Sequence, residues 1–90
     1  MSPISTRIVI SLGGSLLVPD TIDTDFVKDF KKLIVSEVKA GKQFILITGG
    51  GKTARRYIEA AGIVSRITDD DKDWLGIHAT RMNAHFIRTV

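Results

Sequence analysis

Two hydrophobic periods alternate along the chain. Arg7 to Leu12, "RIVISL", and Lys42 to Thr48, "KQFILIT", are short apolar runs rich in β-branched residues, each followed at once by glycines. Runs of this length predict strands, and their nearly continuous apolar character predicts parallel strands buried on both faces. Between them, "TDFVKDFKKLIVSEVKA" places Phe26, Val27, Phe30, Leu33, Ile34 and Val38 at three- and four-residue steps. That spacing predicts a helix with one apolar stripe, capped by Asp23 or Thr24 and ended by Gly41. A second helix is expected from about Lys52 to Ala61, stopping at Gly62. "SRITDDDKD" then reads as a polar, acidic connection. The last segment, "DWLGIHATRMNAHFIRTV", predicts a third helix on Trp74, Leu75, Ile77, His78, Met82 and Phe86, weakened by Gly76.

The order strand, helix, strand, helix implies parallel pairing through a right-handed crossover. In such sheets ligands bind beyond the carboxyl ends of the strands. Gly13-Gly14-Ser15 and Gly49-Gly50-Gly51 should then lie side by side at one sheet edge, where two anionic groups can be held close together. The chemistry this suggests is phosphoryl transfer. Two strands of this kind need more neighbours than 90 residues provide, so the sequence reads as the front part of a larger α/β domain.

Two familiar phosphate grips do not match. A Walker A loop needs glycine, four residues, then Gly-Lys-Ser/Thr. Gly51-Lys52-Thr53 supplies the end, but the first glycine falls on Leu46, inside the second strand. Read as a dinucleotide fingerprint, Gly49 and Gly51 put Ala54 at the third glycine, and no acidic residue ends a strand about 20 positions on. What remains is a strand, a glycine turn and a helix start. The first-turn N–H groups of that helix lack intrahelical partners, and its dipole makes that end positive. A plain glycine turn between strand and helix stays open beside that reading.

Composition narrows the classes. An apolar content of 43% is that of an ordinary globular protein, and the absence of cysteine excludes disulfides and thiolate metal sites. No apolar stretch approaches the roughly 20 residues that span a bilayer, and the start lacks the ordered regions of a signal peptide. A cytoplasmic protein without a membrane partner is expected. The net charge of +3 suits a small anionic ligand. Nucleic acid is not expected, since it calls for a clustered basic face with stacking aromatics. No metal site is expected either. His78 and His85 are seven apart, and Asp69-Asp70-Asp71 reads as a solvated helix start.

"VISLGGSLL", "ITGGGKTARRYIE" and "DWLGIHATRMNA" together resemble the amino acid kinase family, and within it the archaeal-type UMP kinase branch. Acetylglutamate and isopentenyl phosphate kinases share the first two motifs; the pattern from Asp73 to Ala84 favours the UMP kinase branch. The resemblance implies a three-layer α/β fold, a parallel sheet with helices on both faces. Residues 1–90 would be its N-terminal, UMP- and phosphate-binding part, without the ATP-binding half. It implies transfer from ATP to UMP giving UDP, with Mg2+ accompanying ATP, and a homo-oligomer at full length. Carried over by position, Gly14, Ser15, Gly51 and Arg55 would contact ATP, with Arg55 the catalytic cation. Gly50 would contact UMP by its backbone, and the Asp73 carboxylate would accept hydrogen bonds from the ribose hydroxyls.

One departure matters. Many branches carry a lysine two residues before the first glycine pair, where this chain has Ser11; archaeal-type UMP kinases also lack it. Arg55, Lys52 or a residue beyond position 90 would have to supply the charge. A second function class also stays open, a nucleotide- or anion-binding assembly module that kept the fold and lost the chemistry. For single residues, Asp73 can be an ordinary first-turn acid, Arg56 a solvent-facing neighbour of Arg55, and Lys52 plain surface. Trp74 is expected to anchor the third helix.

Overall fold

A computed structural model describes residues 7–90. The start of the chain, which bears on the signal-peptide reading, lies outside the described residues. The elements run β1 (Arg7–Leu12), α1 (Gly14–Leu17), α2 (Thr24–Lys39), β2 (Gln43–Thr48), α3 (Gly51–Val64) and α4 (Asp69–Thr89). β1 and β2 pair in parallel, from Arg7 opposite Gln43 to Leu12 opposite Thr48. The two strands therefore end level with each other, and their glycine turns leave the sheet at the same edge.

Strand residues alternate between faces. Ile8, Ile10 and Leu12 share one face with Phe44, Leu46 and Thr48, and it is increasingly buried toward the glycine edge. α2 and α4 cover this face: Leu12, Leu17, Val18 and Val27 form the core, with Ile10, Phe26, Phe30, Phe86 and Ile87 packed against it. The other face carries Val9 (60% exposed), Ile45 and Ile47 (52% exposed), with Ser11 opposite Ile47 in register. The parallel α/β sheet is thus present, while the described residues contribute helices to one face only. The expectation of burial on both faces fails within them for that reason.

Local chemistry explains the element bounds. Asp23 caps α2, its carboxylate accepting from the Phe26 N–H at 3.0 Å, which stabilises such a helix by about 1 kcal/mol. Gly41, at φ +98°, takes the left-handed turn that ends it. Leu33 and Val38 belong to the predicted stripe but are exposed, because no described element packs on that flank. α3 continues through Gly62 to Val64, since an exposed glycine weakens a helix without breaking it. α1 is a single turn that the glycine pair had concealed.

α4 starts at Asp69, so the acidic run is a helix start as one of its two readings expects, and the connection shrinks to Ser65–Thr68. The rest of α4 departs most from expectation. Its buried residues are Ala79 and Asn83. Trp74 is half-exposed beside His78, with ring centroids 6.1 Å apart, and Met82 is 69% exposed, so Trp74 does not anchor the helix. The packed face runs through Gly76, Ala79 and Asn83, small or polar residues that let α4 come close to the second glycine turn.

Candidate nucleotide-phosphate site

The glycine turns meet backbone to backbone. A Cβ on Gly14 would stand 2.6 Å from the Gly51 Cα and 2.9 Å from the Gly49 carbonyl carbon, so only glycine permits this approach. Gly51 also holds φ at +62°, a left-handed conformation that other residues rarely adopt. The Gly49 N–H donates to the Leu12 carbonyl at 3.2 Å, which extends the strand pairing into the turns. Gly50 is squeezed from the other side: a Cβ there would lie 2.8 Å from the Ala54 Cβ and 3.5 Å from the Ala79 Cβ.

α3 opens on this contact with no side-chain cap and no acidic residue in its first turn. The Lys52 N–H is used by the Val18 carbonyl at 3.3 Å. Gly50 and Gly51 N–H groups have no acceptor among the described residues. Such a start, with its dipole uncompensated, is suited to an anion. One turn into α3, the Arg55 Nη2 donates to Ser15 Oγ at 3.4 Å, tying the second motif to the first.

An open cleft of about 820 Å3 extends from here along α3 and α4, lined among others by Gly50, Gly51, Arg55, Asp73, Thr80 and Arg81. Four of the residues singled out from sequence therefore share one cleft wall. Gly14 and Ser15 adjoin it through the Gly51 and Arg55 contacts just described. Asp73 is exposed on the first turns of α4, on the lining of this cleft.

Two neighbours take structural roles. Arg56 pairs with the Asp20 carboxylate and also donates to its carbonyl at 3.1 Å, so it clamps the loop after α1 and is not merely solvent-facing. Lys52 Nζ lies 3.5 Å from the same carboxylate. Both pairs are largely exposed, so each contributes little to stability alone. Asn83 lies inside the third motif but was given no role from sequence. It is only 7% exposed and donates from Nδ2 to the Gly49 carbonyl at 2.8 Å and the Gly50 carbonyl at 3.3 Å. Its signal in the sequence was a buried-face position, one turn after Ala79, held by a polar residue.

The site is thus a parallel α/β layer whose strands end in touching glycine turns, with Arg55 hydrogen-bonded across them to Ser15. Residues 6–90 match the profile of the amino acid kinase family, and the chain belongs to that family. Among curated relatives it is 47% identical over 77 residues to a uridylate kinase of Thermoplasma volcanium, covering 86% of this chain and 33% of that protein. It is 42% identical over 78 residues to a uridylate kinase of Thermococcus kodakarensis, covering 87% and 34%. A uridylate kinase of Methanocorpusculum labreanum is 42% identical over 79 residues, covering 88% and 33%. The chain thus spans about a third of the length of the curated relatives it matches. Among the described residues no helix is long and apolar enough to cross a membrane.

Proposed function

We propose that the protein containing this chain transfers a phosphoryl group from ATP to UMP, giving ADP and UDP, a step in making pyrimidine nucleotides. The observation that carries this reading is the backbone contact between the two glycine turns, bridged by Arg55 and Ser15. Two polyanions must approach within bonding distance, and their repulsion is the main obstacle. Backbone N–H groups and a permanently charged guanidinium offset it without covalent work by the protein. Gly14, Ser15, Gly51 and Arg55 take the ATP side. Gly50 takes the UMP phosphate, and Asp73 accepts from the UMP ribose hydroxyls. The uridylate kinase names of the relatives support the choice of acceptor.

Magnesium enters this reading bound to ATP. The phosphates and waters supply most ligands of such an ion, and no residue of this chain is assigned to it. The same reading makes the full-length protein a cytoplasmic homo-oligomer. The 90-residue chain alone is expected to show no steady UDP production, because it spans a third of its relatives.

A segment exchange tests the proposal. Residues 7–90 replace the matching segment of the Thermoplasma volcanium uridylate kinase, and ADP release is followed with ATP and each candidate acceptor. The expected outcome is turnover that requires UMP. A folded chimera that leaves UMP untouched, or that prefers acetylglutamate or isopentenyl phosphate, would refute it.

A further inference from the structure

We infer that Asn83 is the positioning residue of the candidate phosphate site: its buried amide fixes the Gly49–Gly50 and Gly50–Gly51 peptides so that the Gly50 N–H faces the acceptor phosphate and the Gly51 N–H lies on the ATP side. The inference deepens the proposed kinase reading and rests on it for the identity of the phosphate. Both partners of Asn83 Nδ2 are carbonyl oxygens, so the side chain must present its NH2 group to them. In a trans peptide the carbonyl and the following N–H point in opposite directions, and the described chain has no cis bond. Anchoring the Gly49 oxygen therefore aims the Gly50 N–H away from Asn83, and anchoring the Gly50 oxygen does the same for the Gly51 N–H. These two N–H groups lack an acceptor among the described residues, and Gly50 and Gly51 line the cleft.

Glycine makes the anchor necessary. A glycine peptide rotates with little steric resistance, so an unrestrained Gly-Gly-Gly turn would present its donors in many directions. Aligning them in advance removes an ordering cost from binding. The support is itself rigid. α4 reaches the turn through Gly76 and Ala79, and the Thr48 hydroxyl donates to the Thr80 carbonyl at 3.2 Å, pinning α4 to the end of β2. Asn83 is buried with its NH2 group used only on the turn, which a residue kept for helix packing alone would not require.

The test is an NMR titration of the segment-exchange chimera with inorganic phosphate, uridine and UMP, following the Gly50 and Gly51 amides. With Asn83 in place, phosphate and UMP should move the Gly50 amide, while uridine should not. Asn83→Ser adds no charge and is too short to reach both carbonyls. It should weaken phosphate and UMP by about ten- to a hundredfold, the scale of charged hydrogen bonds, and leave uridine unchanged. Asn83→Asp should lose them further at neutral pH, because a carboxylate cannot donate. Thr68→Ala serves as the control, removing the cap of α4 away from the glycine turn; it should lower stability and keep the phosphate response. A merely structural Asn83 would weaken uridine and UMP alike, and that result overturns the inference. So does a chimera with Asn83 in place whose Gly50 amide ignores phosphate. A chimera that answers to phosphate but not to UMP would refute the UMP reading alone, while loss of the phosphate response in Asn83→Ser would still support the anchor.

Discussion

α3 and α4 line the same cleft but begin in opposite ways. α4 satisfies its own end. The Thr68 hydroxyl accepts from the Asp71 N–H at 3.1 Å, the Asp71 carboxylate accepts from the Thr68 N–H at 3.0 Å, and three acidic residues face the dipole. α3 begins on glycine, with neither a capping side chain nor a first-turn acid, and sets Lys52 and Arg55 around its end. One start is closed by its own side chains; the other has none, and the proposed function gives it to an external anion. On that proposal the difference separates a structural helix start from a binding one. It also shows why the acidic run, despite its three carboxylates, belongs to the first kind.

The contrast can be broken most forcefully at Gly51. Gly51→Ala should cost about 1–3 kcal/mol for its left-handed backbone. Overlap of the new methyl with the Gly14 backbone should add a similar amount. Urea denaturation checks the sum, and an unchanged midpoint would mean that the two turns do not touch. Arg55→Ala comes next. A charged hydrogen bond contributes roughly 1.5–3 kcal/mol, so turnover of the segment-exchange chimera should fall about ten- to a hundredfold. Arg55→Lys should recover only part, because a point charge cannot form the fork.

Asp73→Asn should act on one substrate. Replacing an acceptor oxygen with a donor should raise the KM for UMP by about tenfold, leave that for ATP nearly unchanged, and narrow the preference for UMP over its 2′-deoxy analogue. Equal changes for both nucleotides would make Asp73 a support of the fold. The smallest effect is expected at the closed start. Thr68→Ala should lower stability by about 0.5–2 kcal/mol with no change in ligand affinity. Hydrogen bonds from the Thr68 N–H, and secondarily its hydroxyl, hold the Asp71 carboxyl below its ordinary value. That contribution is present above the unfolded-state value and is lost as pH falls through the lowered one. Protection of the first-turn amides of α4, measured against their intrinsic exchange rates, should therefore fall on acidification, and Asp71→Asn should flatten that dependence.

Strong periodicity made most of the fold legible. β1, β2 and α2 follow directly from apolar runs and an Asp cap, and the glycine turns after parallel strands located the sheet edge that carries the site. The misreadings share a cause. In α4 the large residues, Trp74 and Met82, drew the predicted stripe, whereas the packed face is Gly76, Ala79 and Asn83, chosen for close approach. Hydrophobic period gives such positions no weight. The acidic run was read both as linker and as helix start, and only the reciprocal Thr68–Asp71 pair decides between them. Asn83 stayed hidden because its partners are carbonyls more than 30 residues away. Arg55 and Asp73 were singled out by the family motif; that they line one cleft is a fact of the fold that spacing alone does not give.

The most direct measurement is calorimetric binding of UMP and of uridine to the segment-exchange chimera. If the second glycine turn holds the acceptor phosphate at Gly50, UMP should bind at least about tenfold more tightly than uridine, and most of that preference should vanish in the presence of competing inorganic phosphate. Equal affinities for UMP and uridine, or no binding of UMP, would contradict the account.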